Sequence, residues 1–262
     1  MSNTTTTNVI SFNGTDLNTI QGWITTKTTT YRYPERSVFT NDLLNTDDSI
    51  TSNAYFKGGR IIVEGVIRGS GRELLDERIS QLKKILKPIN KDLILPVSGI
   101  QRKYIEATVN NIAISDVQGG YCAVSIEFVT AEPYNRATVA TTVLDVANVG
   151  SGNVSYPVTF DGSGDQLPVI QFTLDSSSPT ANRTVTFTNP DDGTYLAVQR
   201  DWTATDVLTI DCDNKTVEVN GTAVDFEGKF LMYDDGAGYL NYTDDFDTRQ
   251  VDILITHTKR YI

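Results

Sequence analysis

The sequence predicts a mainly β protein with a single helix, divided into two domains. Three observations carry that expectation. Short runs in which apolar and polar residues alternate recur along the chain, bounded by Gly, Asn and Asp. One stretch only, residues 60–88, reading RIIVEGVIRGSGRELLDERISQLKKILKP, holds a helical period. Charge also divides unevenly: residues 1–135 hold 14 Lys+Arg and 14 Asp+Glu, whereas residues 136–262 hold 8 and 19, so 8 − 19 = −11 accounts for the whole net charge. The expected arrangement is an N-terminal β-sandwich or split barrel over residues 1–136 with one α-helix at about 72–87, then a jelly-roll β-sandwich over residues 137–262.

The helix follows from its ends and its stripe. Ser70-Gly71-Arg72-Glu73 has the spacing of a capping box, in which Ser70 would accept from the third helical amide and Glu73 would reach back. Leu75, Ile79, Leu82 and Leu86 repeat at i, i+4 and i+7, with Leu74 and Ile85 widening the stripe. Glu73, Asp76 and Glu77 lie early and Lys83, Lys84 and Lys87 late, each at the end that the helix dipole favours, and Pro88 stops the run. A helix with one apolar stripe has to cover a sheet.

The strands follow in order. RIIVEGVI, KDLILPV, YIEATVNNIAI and YCAVSIEF are expected in the first domain. In the second, PVIQFTL, RTVTFTN, TYLAVQR, DVLTIDCD, KTVEVNGTAVDF, KFLMYDD, GYLNYT and RQVDILITH are expected, with Asn220-Gly221 as a two-residue hairpin turn. The domain break is placed near Ala131-Glu132-Pro133-Tyr134-Asn135-Arg136, followed by a low-charge Thr/Val stretch and the glycine-rich VGSGNVSYPVTFDGSG.

Composition excludes several classes. The start, MSNTTTTNVI, lacks a basic region followed by an apolar run, and no stretch approaches the ~18 apolar residues of a membrane span, so a soluble chain outside the classical export route is expected. Seven Asn-X-Ser/Thr triplets follow from an Asn- and Thr-rich composition and do not imply glycosylation. Cys122 alternates with Val124, Ile126 and Phe128, and Cys212 follows Leu208 and Ile210, which makes both small buried hydrophobes without the spacing of a zinc site. An acidic half with no basic stripe argues against nucleic acid.

Catalytic chemistry is not expected, and no cofactor or metal. The single histidine, His257, follows Ile253 and Ile255 on the last strand, as a structural imidazole would. No serine sits in a nucleophile elbow, and Gly150-Ser151-Gly152 and Gly162-Ser163-Gly164 lack the Lys of a phosphate loop, reading as hinge or turn. Asp191-Asp192-Gly193, Asp211-X-Asp213-Asn214, Asp234-Asp235-Gly236 and Asp244-Asp245-X-Asp247 offer oxygens that calcium could use, but none fits an EF-hand loop. Asp and Asn are turn residues, and turns are the expected reading.

The chain resembles the distal tail proteins of long-tailed, non-contractile bacteriophages. The resemblance lies in Lys57-Gly58-Gly59-Arg60 leading into IIVEGVIRGSGRELLDERISQLKKIL, then KDLILPVSGIQRKYIEATVNNIAI, then the strand ending Phe128-Val129-Thr130-Ala131-Glu132-Pro133-Tyr134. It continues through PVTFDGSGDQLPVIQFTL and DVLTIDCDNKTVEVNG, which look like the entry to a galectin-like sandwich. The resemblance implies a structural virion protein at the tail tip, made in the host bacterial cytoplasm, that closes into a homohexameric ring joining tail tube to baseplate. The partners it implies are the tail tube protein, the tail tip or tail-associated lysin protein, the tape measure and receptor-binding proteins, although the sandwich has no long insertion to serve as an arm. It also implies that the polar helix face with Arg72, Arg78 and Lys83 lies at a ring or tube contact. The alternative is a stand-alone carbohydrate-binding or adhesin module, for which Tyr195, Trp202, Tyr239 and Tyr242 are the candidate glycan contacts. The His/Asn/Arg/Trp constellation of galectins is missing.

Overall fold

The computed structural model describes residues 9–30, 36–42, 49–56, 58–132, 134–150, 152–178 and 181–261. Readings that involve residues 1–8, Lys57, Pro133 and Ser151 lie outside them. The chain forms two compact units, Met1–Thr138 with Ile262 and Val139–Tyr261.

Among the described residues, the first unit has one large antiparallel sheet, a separate two-stranded hairpin and one α-helix packed on the core. Its strands are β1 (Ser11–Phe12), β2 (Thr15–Asp16), β3 (Trp23–Thr30), the hairpin β4 (Arg36–Asp42) and β5 (Ser49–Phe56), β6 (Arg60–Arg68), β7 (Lys91–Val97), β8 (Ile100–Ile114), β9 (Tyr121–Val129) and β10 (Asn135–Ala137). The order across the sheet is β2-β1-β7-β8-β9-β6-β3, while among the described residues β4 and β5 pair with each other alone. Fifteen-residue β8 joins the two halves of the sheet. Residues 100–107 pair with β7, and Thr108–Ile114 pair with β9. The strand changes partners next to Glu106, a non-glycine residue at φ 51°, and a bulge follows between Val109 and Asn111.

Helix α1 spans Arg72–Leu86 and buries Leu75, Leu82 and Leu86, with Ile79 and Ile85 half-buried against the core. The stripe read from the sequence is therefore the packed face. The capping box does not form. Gly71 is the N-cap and gives no side-chain hydrogen bond, and the first turn is closed by the Leu75 amide donating to the Gly71 carbonyl at 3.1 Å. Gly69 is wedged against the start of the helix, where an added Cβ would lie 3.0 Å from the Leu75 nitrogen.

Strand β3 was not expected. WITTKTTT has no apolar alternation, yet it pairs with β6 from Trp23↔Ile67 to Thr30↔Ile61. What holds it is Trp23, which is 5% exposed and lies where a Cβ on Gly65 would be, 2.6 Å from its ring atoms. The Cβ-free backbone of the neighbouring strand admits an indole that any other residue would push away.

The second unit is a two-sheet sandwich. One sheet runs β11 (Thr141–Val149), β21 (Thr248–His257), β13 (Pro168–Ser178), β16 (Val207–Asp211), β17 (Thr216–Val219), β18 (Thr222–Ala223). The other runs β12 (Asn153–Phe160), β20 (Gly236–Asp244), β14 (Arg183–Asn189), β15 (Thr194–Arg200), β19 (Glu227–Gly228). Strands β11 and β12 occupy the Thr/Val and glycine-rich stretches that read as a connection. Conversely, KFLMYDD is not a strand. Leu231 and Tyr233 are buried, but the segment makes only one bridge, with Tyr233 paired to Gln166. Apolar alternation there reflects a loop pressed onto the sandwich rather than a ladder.

Candidate functional site

The two cysteines and the histidine are buried. Cys122 and Cys212 are free and buried; burial raises the Cys122 thiol, and it pushes Cys212 up to about 12, away from the thiolate a nucleophile needs. His257 is 2% exposed. Its ring lies edge-on to Phe160 with centroids 5.1 Å apart, and its Nδ1 is 3.2 Å from the Gln166 side-chain oxygen, Oε1. The Arg260 amide also donates to that oxygen, at 3.3 Å, so the Nδ1 contact is a hydrogen bond when the imidazole carries its proton there. Burial lowers the His257 pKa, Lys259 lowers it further, and Asp161 opposes both.

Within the acidic clusters, Asp192 and Asp211 act as turn residues, whereas Asp235 and Asp245 tie together segments distant in sequence. The Asp192 carboxylate accepts from the Thr194 amide at 2.8 Å and Asp211 from the amides of Asp213 and Asn214 at 3.0 and 2.9 Å. Asp235 accepts from Gly162 at 2.9 Å and Asp245 from Thr184 at 2.7 Å. Folding brings Asp191, Asp192, Asp234 and Asp235 around one depression of about 280 Å³. Among the described residues, no group of three or more His, Cys, Asp or Glu has the geometry to hold a metal ion. No helix among them is long and apolar enough to cross a membrane.

The aromatic candidates separate into two kinds. Trp202 and Tyr242 are 2% and 0% exposed. With Phe172 and Phe187 they build the sandwich core: Phe172 lies 5.6 Å from Trp202 and 5.9 Å from Tyr242, and Phe187 lies 5.6 Å from Tyr242, between ring centroids. The Trp202 indole N–H donates to the Arg183 carbonyl at 2.9 Å. Neither residue offers a face to a sugar, which corrects the reading from sequence: their polar tips find buried partners, so their rings can be fully interior. Tyr195 and Tyr239 are 37% and 52% exposed. Tyr195 faces Thr188 across β14, and Thr188 faces Asn241 of β20, two residues from Tyr239. Both rings therefore lie on the outer face, but two strands, about 10 Å, apart. The Tyr195 hydroxyl donates to Glu227 at 2.9 Å.

The helix cations also separate. At 100° per residue, Arg72 and Lys83 fall within 20° of each other and both are exposed, whereas Arg78 lies on the flank of the apolar stripe. Arg78 donates to the Arg68 carbonyl at the end of β6, against the backbone of Gly22, whose φ is +85°. Arg78 is thus a strut between helix and sheet. The Arg72–Arg78–Lys83 face read from the sequence is reduced to Arg72 and Lys83, because the long Arg78 stem can reach a backbone acceptor beside the stripe.

Residues 161–261 match the family described as siphovirus-type tail component, C-terminal domain. The match begins after β12 and takes in the rest of the sandwich. The whole fold is similar to the crystal structure of SPP1 Dit (gp 19.1), described as a paradigm of the hub adsorption apparatus in phages infecting Gram-positive bacteria, with a TM-score of 0.72 at 16% identity over 97% of this chain and 99% of that one. This chain is thus similar to siphovirus-type tail components over residues 161–261 and to SPP1 Dit in fold. Looser likenesses are to chains of the phage P2 baseplate in its activated conformation with Ca (TM-score 0.45, 8% identity, 89% and 91% covered) and with Sr (0.47, 10%, 92% and 92%). No curated protein matches the sequence.

Proposed function

We propose that this chain is a structural subunit of a phage tail tip, in which residues 1–136 close with copies of themselves into a homohexameric ring and residues 137–262 stand off that ring. The observation that carries the reading is the fold shared with SPP1 Dit along nearly the whole chain. The charge division supports the arrangement. Charge near a symmetry axis is multiplied by the subunit number and opposes closure. A ring of six would carry no net charge from residues 1–135 but 6 × 11 = 66 negative charges from the remainder. Such a ring closes if the acidic domains stay farther apart than the Debye length of about 8 Å at physiological ionic strength.

In this role the ring joins the tail tube protein on one face to the tail tip or tail-associated lysin protein on the other, as an assembly hub at the virion tail tip, made in the host cytoplasm; the tape measure and receptor-binding proteins are further neighbours. Arg72 and Lys83 on the exposed side of α1 are the proposed contact residues. Negative-stain electron microscopy and sedimentation of the full chain test the reading. Six-fold rings that become more stable as salt rises are expected; a monomer at all concentrations and salt levels would refute it.

A further inference from the structure

The sandwich carries a groove of about 690 Å³ between β15 and β18. Its lining includes half-buried Val224, the core residues Val198 and Val219 beneath it, 1% and 3% exposed, and the exposed Gln199, Asp201 and Asp225. Strand β18, of two residues, is the edge of its sheet, whereas β15 is next to the edge strand β19. Strand β15 is covered on its outer side by β19 at Leu196 and Ala197 alone.

The open part of that edge has a defined polarity. In an antiparallel strand, the N–H and C=O of every second residue point to the same side. The Tyr195 carbonyl accepts from Lys229 on the β19 side at 2.8 Å, so Tyr195, Ala197 and Gln199 direct their backbone groups outward. At Gln199 the covering strand has ended, and its N–H and C=O face the groove. An open edge beside an apolar floor is a template for another strand.

The rim fixes the charge of that strand. Arg200 is its one cation, and it is engaged within the chain: its guanidinium lies 5.6 Å from the Trp202 ring centroid and 4.0 Å from Asp206, and its Nε donates to the Asp201 carbonyl at 3.0 Å. Asp225 and Asp201, whose Oδ1 accepts from the Asn182 amide at 2.7 Å, are exposed, on the half of the chain that is net −11. We propose that the groove binds an extended cationic segment of another protein as an added strand on β15. Its backbone pairs with Gln199, an apolar side chain rests on Val224, and flanking Lys or Arg side chains meet Asp201 and Asp225.

Fluorescence anisotropy with the labelled, capped peptide KVTVK tests this on the full chain, against its backbone N-methylated form and the acidic peptide EVTVE. Saturable binding of KVTVK is expected, weakened about tenfold or more by N-methylation, by the acidic flanks and by Asp225→Lys, together with slowed hydrogen exchange at the Gln199 amide. Equal binding of the N-methylated peptide, undiminished binding by a folded Asp225→Lys variant, or no saturation at about millimolar peptide would overturn it. The two control peptides act on the unaltered chain, so the test holds if the variant misfolds.

Discussion

The Arg249 guanidinium grips the Asp244 carboxylate inside the sandwich, with Nε 2.6 Å from Oδ1. Side-chain exposure is 10% for the arginine and none for the aspartate. The Phe246 amide donates to the same oxygen at 3.0 Å, and the Tyr242 hydroxyl donates to the other oxygen. Burial, and then the carboxylate beside it, hold the Tyr242 phenol above its ordinary pKa, so it remains a donor. The ion pair also fastens the loop at Gly150, whose carbonyl accepts from Arg249 at 3.2 Å.

Removing one partner of this pair leaves the other buried without a counterion. Arg249→Met is expected to destabilise the sandwich by about 3–5 kcal/mol, whereas replacing both residues with apolar ones should cost less than the sum of the single changes. Urea unfolding of the two single variants and the double variant checks this; additive losses would show that the residues act independently.

His257 gives the sandwich a pH dependence of defined sign. Its folded pKa lies below the unfolded value near 6.5, chiefly through burial. The unfolded state therefore takes up the proton first as pH falls. The stability that the neutral imidazole contributes is complete above about pH 6.5 and is lost as pH drops through that value towards the folded pKa. Melting temperature measured from pH 8 down to pH 5 (~pH 5–8 being the usual range of greatest stability) should fall on the acid side, and His257→Phe should flatten that fall. An equal fall in the variant would assign the effect to carboxylates.

Where the sequence is legible, local chemistry and tertiary fate coincide. Asn220-Gly221 forms the expected hairpin with φ of 51° and 75°, and Val219 pairs with Thr222. The stripe of α1 packs as its spacing requires. Misreadings arise where a distant partner decides. Strand β3 depends on Gly65, some forty residues on in the chain, and the Trp202 and Tyr242 rings are interior because Arg183 and Asp244 satisfy their polar atoms. Arg78 turns inward to a carbonyl that no helical pattern reveals. The groove at Gln199 is likewise invisible in sequence, because it arises from where β19 stops.

Asn220 does more than turn the chain. Its side-chain oxygen accepts from the Val207 amide at 2.9 Å, and its amide group donates to Asp206 at 2.8 Å. Asn220→Ala loses both bonds and keeps the left-handed backbone, so a loss of about 2–4 kcal/mol is expected, against about 1–2 kcal/mol for Gly221→Ala, which meets only the left-handed penalty. Thermal melts of the two variants rank them; a reversed order would place the importance of the turn in its backbone.

The two cysteines report on the two units separately. Cys122 lies in the first unit and Cys212 in the second, 0% and 1% exposed, and burial raises both thiols. A thiol reagent at neutral pH should therefore react with neither until its own unit opens. In the single-cysteine forms made by Cys122→Ala or Cys212→Ala, labelling in increasing urea becomes a separate unfolding curve for each unit. Leu82 is fully buried beneath α1, so Leu82→Ala should destabilise the first unit by about 2–5 kcal/mol. The Cys122 curve should then move to lower urea while the Cys212 curve stays in place. Rapid labelling without urea would contradict the burial of the thiols, and an equal shift of both curves would show that the two units unfold as one.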